Sequence, residues 1–402
     1  MAFNAYVGSF DSNLSTGNQP VTGVGFTPKL VIFYHIRNDT AASNTTNARW
    51  GMGAMDGTNE WSIAAIDVDN VATSQADRRQ LTSKCITTQS VQEEADFVSF
   101  DADGFTIDWT TITGTAWRYN FVALGGDDIS VDVGSFNYDT SDPQSVTGVG
   151  FEPDVVLFGN VLTGTTEGST TNIIYMSGCM ETGGTQWVNK SIVIDNAPAA
   201  QADSIQQTTN CINRGSQIAH FDSMDSDGFT IDKTASSGTQ QICYIAIKGV
   251  NTYAGSFTQP GSNGDDPETG VGFQPKLVLF QSVGKVVNAS QTVDAGQMFG
   301  AATSSTERFV VDCDTIDAAD PMEADSRQLT DEVITLITAG TPTVDSEADF
   351  VSMDSDGFTI NWGTTDATAR EVVYLCLGEV AAAGGQTGQM TPRSGYWGDV
   401  TV

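Results

Sequence analysis

Thr22-Gly23-Val24-Gly25-Phe26-Thr27-Pro28-Lys29-Leu30-Val31-Ile32-Phe33 reads as a tight turn running into a strand, and the chain writes it three times. Thr147-Gly148-Val149-Gly150-Phe151-Glu152-Pro153-Asp154-Val155-Val156-Leu157-Phe158 is the second copy, and Thr269-Gly270-Val271-Gly272-Phe273-Gln274-Pro275-Lys276-Leu277-Val278-Leu279-Phe280 the third. Paired glycines one residue apart suit a turn that needs φ above zero. The apolar run after each proline is short, β-prone and unbroken, which is the pattern of a strand buried on both faces. A phosphate-cradling loop is excluded, since no Gly-Lys-Ser/Thr follows and no helix is signalled.

The repetition extends outward from this stretch. Gly8-Ser9-Phe10, Gly134-Ser135-Phe136 and Gly255-Ser256-Phe257 precede it, and Asp103-Gly104-Phe105-Thr106-Ile107, 227–231 and 356–360 follow late in each copy. Closing apolar runs at 119–124, 242–247 and 372–377, and mid-copy runs at 63–68, 191–194 and 309–311, give further strands. No sustained apolar stripe at a 3.6-residue period competes with them. The expected fold is all-β: three tandem homologous β-sandwich domains of jelly-roll or lectin-like type. Their boundaries are 1–126, 127–249 and 250–379, followed by a flexible linker and C-terminal tag, 380–402, carrying Tyr396-Trp397. The junctions are only a few residues long, so the domains are expected to abut in an elongated, stiff rod.

The 402 residues allow each copy its own core, and the hydrophobic content of 39% is that of a globular chain. Charge is the unusual property. Fifty acids against seventeen bases leave −33, with 37 Asp and 13 Glu distributed through all three copies. Such a surface disfavours nucleic acid as a partner and suits a protein working in concentrated salt, which screens the self-repulsion. Met1 leads into Phe3 and Tyr6 without a basic segment, and no run of about eighteen apolar residues occurs, so synthesis in the cytoplasm without a signal peptide and no membrane insertion are expected. Six cysteines form no CxxC or CxxH cluster. They are expected as buried free thiols, with a disulfide from Cys179 to Cys211 or Cys243 as the alternative.

Three constellations are candidates for chemistry. Asp101-Ala102-Asp103-Gly104, Asp225-Ser226-Asp227-Gly228 and Asp354-Ser355-Asp356-Gly357 place alternate carboxylates before a glycine, as a Ca²⁺ or other hard-cation site would. The EF-hand frame fails at Ser99 and Thr110, and the competing reading is a turn whose Asp bonds its own backbone. Trp50, Trp61 and Trp187 lie among Thr, Asn and Gly and could stack on a sugar, with Thr306 at the matching place in copy three. The alternative is a Trp covering the sandwich rim. Asp69-Asn70 aligns with Asp195-Asn196, and Asp77-Arg78-Arg79-Gln80-Leu81-Thr82 with Asp325-Ser326-Arg327-Gln328-Leu329-Thr330, which points to contacts between domains. The middle segments 38–94, 160–218 and 282–347 diverge most and are where recognition is expected. His35 and His220 are the two histidines and occupy unlike positions, so a histidine-based metal or nucleophile site is excluded.

The frame of Gly-Ser-Phe strand, Thr-Gly-Val-Gly-Phe-x-Pro turn and Asp-Gly-Phe-Thr-Ile strand resembles a β-sandwich module of tailed-virus virion proteins, the concanavalin-like or lectin-like domains of tail, fibre and spike proteins. The resemblance covers residues 5–379 and names no catalytic residue. It implies a non-enzymatic protein of the virion surface, in a capsid vertex turret, spike or tail, contributing to host attachment. Partners would be further copies of itself, other virion proteins and a host surface glycan or glycoprotein. With the acidity, it implies a virus of salt-loving, haloarchaeal hosts. A glycan-degrading tailspike, which needs only two carboxylates, and a cellular acidic lectin or adhesin are the alternatives.

Overall fold

The computed structural model describes residues 3–38, 43–161, 164–340 and 343–380; the proposed linker and tag after Val380 lie outside the described residues. Among the described residues the fold is all-β, with six antiparallel sheets, three of seven strands and three of four. Each copy contributes one of each kind. In copy one the four-stranded sheet of Gly17–Thr22, Gly104–Thr111, Glu94–Asp101 and Ile86–Thr87 packs on the large sheet through Val31, Phe33, Phe105, Ile107, Trp109 and Phe121. Copies two and three build the same sandwich core around Phe158 and Phe229, and around Phe280 and Phe358.

The unbroken apolar runs have a second face to cover. Along Pro28–Asn38, Val31 and Phe33 point into the sandwich, whereas Leu30, Ile32, Tyr34 and Ile36 point the other way. That outer face joins Val155, Leu157, Ile245 and Ile247 of copy two, and Leu277, Leu279, Leu375 and Leu377 of copy three, in one central core. A strand alternates its side chains, so burying both faces demands apolar residues at every position. The three large sheets therefore back onto a shared interior.

The expected rod is thus replaced by a closed ring. Gly168–Thr171 of copy two pairs with Ala76–Leu81 of copy one, and Thr292–Val293 of copy three pairs with Ala202–Gln207 of copy two. Ser43–Thr46 of copy one then pairs with Ala324–Leu329 of copy three and closes the circle. Short junctions constrain where the next copy starts, but they are compatible with a turn about a threefold axis as well as with extension. Burial of a second apolar face favours the turn, because an end-to-end rod would leave those faces in water. Each added strand also covers an open ladder edge. The divergent middle segments, expected as recognition loops, supply these straps and three strands of each large sheet.

Candidate functional site

The repeated Asp-x-Asp-Gly residues hold the frame together. The Asp103 carboxylate accepts hydrogen bonds from the amides of Gly23 (3.1 Å) and Gly25 (2.6 Å), Asp227 from Gly148 (3.2 Å) and Gly150 (2.7 Å), and Asp356 from Gly270 (3.2 Å) and Gly272 (2.6 Å). All six glycines have φ between +84° and +91°, so their amides turn toward one point and make an anion-binding concavity that the Asp fills. The preceding acids are also occupied: Asp101 accepts from Ser99 (2.9 Å) and Thr106 (2.7 Å), Asp225 from Ser223 (2.8 Å) and Thr230 (2.6 Å), and Asp354 from Ser352 (2.7 Å) and Thr359 (2.6 Å). A cation site at these positions is corrected to a turn clamp, since the oxygens already face protein donors. Among the described residues no group of three or more His, Cys, Asp or Glu is placed to hold a metal ion.

The three tryptophans are likewise enclosed. Trp61 and Trp187 are each 1% exposed and Trp50 is 5% exposed. Trp61 donates its indole N–H to the Tyr244 carbonyl of copy two (3.0 Å), and Trp187 donates to the Tyr374 carbonyl of copy three (3.3 Å). The second position of the corresponding eight-residue strand in copy three, Arg308–Thr315, is Phe309 and not Thr306. Phe309 packs near Tyr34 of copy one at 5.8 Å between ring centroids. Trp50 meets Tyr175 at 3.9 Å. A sugar-stacking role for these side chains is therefore withdrawn, because their faces are joints of the ring.

The aligned Asp residues are joints too. Asp69 Oδ1 accepts from Ala324 N (3.1 Å), Asp195 Oδ1 from Ala76 N (3.1 Å) and Asp317 Oδ1 from Ala202 N (2.9 Å), each across a boundary between copies. In the Asp77 and Asp325 segments, contact between copies comes from backbone pairing of these strands with the straps and from side chains that cross with it, Arg79 donating to Ser169 Oγ (3.1 Å) and Arg327 to Asn44 Oδ1 (3.0 Å). Arg79 is held by Glu94 (2.7 Å) and Arg327 by Glu347 (2.9 Å). All six cysteines are buried and free, including Cys179, Cys211 and Cys243.

One region breaks the threefold likeness. Copy three contains a cleft of about 350 Å³ with a floor of Val283, Gly296, Asp312, Asp314, Leu336 and Ile337, and with Val286, Thr338, Thr368 and Ala369 exposed at its rim. The matching place in copy one, bounded by His35, Arg37, Arg49 and Trp50, leaves about 20 Å³. Asp312 is 2% exposed and Asp314 8%. Asp312 Oδ2 accepts from Ile337 N (2.9 Å) and Asp314 Oδ2 from Ala339 N (3.1 Å). Burial pushes the Asp312 carboxyl well above the usual range and Asp314 up to about 6, although backbone amides and Arg370 oppose the shift in both. Sequence reasoning passed over this pair. Its signal was weak: the strand position held by Asp312 is Ala64 in copy one and Lys190 in copy two, a contrast visible only once the strands are aligned.

No known protein family matches the sequence, and no curated protein is similar to it.

Proposed function

We propose that this chain is a non-enzymatic structural protein of a virus particle surface, a compact head on a capsid turret, spike or tail that contributes to host attachment. The observation that supports it is the closed ring: three like sandwiches share one core and exchange edge strands, so a single chain has the architecture of a trimer. The residues common to the copies clamp turns and join neighbours, as a load-resisting scaffold requires. Attachment in this reading comes from many heads on one particle, whose weak contacts with a host glycan or glycoprotein add as avidity. The dense negative surface fits a particle that is stable in brine, where salt screens repulsion between neighbouring heads. The test is immunogold labelling of purified particles from the source with antibody to this chain. Gold on the particle surface supports the reading, and particles free of the chain end it.

A further inference from the structure

The two sister positions of the copy-three cleft are filled from within by cationic side chains. In copy one they are Arg37 and Arg49, with the Arg37 guanidinium 4.6 Å over the Trp117 ring. In copy two they are Lys190 and Arg214, 3% and 4% exposed. Arg214 donates to the carbonyls of Asn160 and Ile174 and to Gln240 Oε1, and Lys190 donates to Gln291 Oε1 (2.9 Å).

Copy three has none of these fillers. Nine residues after the strand-opening proline, Arg37 becomes Gly284. By strand register Arg49 becomes Gly296, Arg214 becomes Leu336 and Lys190 becomes Asp312. The two cations that do reach the cleft have their own partners: Arg370 is held by Asp345 (2.8 Å) and Asp366 (3.1 Å), and Lys285 lies 3.5 Å from Asp294. Asp312 and Asp314 are left at the floor without an ion pair among the described residues. Thr292 Oγ1, buried in the lining, has no hydrogen-bond partner among the described residues.

We infer that the copy-three cleft binds an organic cation, a guanidinium or primary ammonium group, in the slot that the other two copies fill with their own Arg and Lys. Asp312 and Asp314 supply the countercharge, Thr292 a hydrogen bond, and the apolar floor of Val283, Leu336 and Ile337 covers the aliphatic stem. A metal ion is disfavoured because the described acids do not gather into a coordinating group. An ammonium or guanidinium needs only one or two carboxylates and a wall. A bound cation holds the two buried carboxyls ionised, so binding strengthens from pH 5 to 7.5; the other charges facing the cleft are Asp294, Lys285 and Arg370. The inference stands apart from the virion reading and survives or fails without it.

The experiment is calorimetric titration of the full chain with agmatine, which carries both cationic groups, at physiological ionic strength and pH 7.5. N-acetyl-arginine amide is the second probe and separates a peptide side chain from a free amine as the source; glutarate is the anionic control. One saturable site is expected for at least one cation, weakened tenfold or more in Asp312→Asn. Leu336→Arg, which installs the copy-two filler, is expected to abolish it while circular dichroism and the melting point show a folded protein. Absence of binding, equal binding by glutarate, or unchanged affinity in both variants would overturn the inference.

Discussion

Replacing Trp61 with Ala distinguishes a shared interior from three separate domains. The side chain is 1% exposed in the central core, and its indole N–H reaches the Tyr244 carbonyl across the boundary between copies one and two. Removing a buried Trp costs about 3–5 kcal/mol. Because the large sheets back onto one core, the chain is expected to unfold as one unit. Unfolding entropy near 60 °C is about 2.1 cal/mol/K per residue, which gives about 0.8 kcal/mol/K for roughly 400 residues. A loss of about 4 kcal/mol then lowers the melting point by about 5 °C. A free-standing copy of about 125 residues would instead drop by about 15 °C while the other two stayed in place. Differential scanning calorimetry reads both quantities. One transition is expected, with a van't Hoff enthalpy approaching the calorimetric total of about 280 kcal/mol at about 0.7 kcal/mol per residue. A split endotherm in which one third of the heat moves by about 15 °C would refute the common core.

Further consequences can be measured on the same protein. Asp227→Ala leaves the Gly148 and Gly150 amides without their acceptor, and a loss of about 1–2 kcal/mol in urea unfolding is expected, with calcium and chelator leaving the wild-type midpoint unmoved. Gly178→Ala would set a Cβ 1.9 Å from the Cys211 carbonyl oxygen, and a loss above about 2 kcal/mol or failure to fold is expected in the same assay. Burial pushes Asp67 up to about 7 and Asp314 up to about 6, from 3.8 when unfolded. Their protonation favours the folded state, so the contribution is complete below about pH 4 and lost as pH rises through 6 to 7, worth on the order of a few kcal/mol. Urea midpoints should rise from pH 8 to pH 5 and should rise less in Asp67→Asn.

Strand positions, the three copies and the turn glycines were legible because they depend on local chemistry. Pro28 before Leu30-Val31-Ile32-Phe33 signals a strand, and paired glycines before it signal φ above zero, whatever lies nearby. The same run even declared that both its faces are buried. What it withheld was the identity of the second cover, since a hydrophobic face records how much area leaves water and not which surface replaces the water. Hence the residues called for a second cover that an end-to-end rod does not supply, and only the packed sheets identified that cover as the other two copies. Trp61 and Trp187 could have been surface stacking platforms or joints for the same reason: an indole is apolar with one donor in either setting, and the carbonyls of Tyr244 and Tyr374 that fix their role arrive from other copies. Asp103 looked like a possible cation ligand because its partners, the Gly23 and Gly25 amides, are about eighty positions away. Only the tertiary structure set the copy-three cleft apart from its filled sisters, because a vacancy follows from side chains that several strands fail to contribute together.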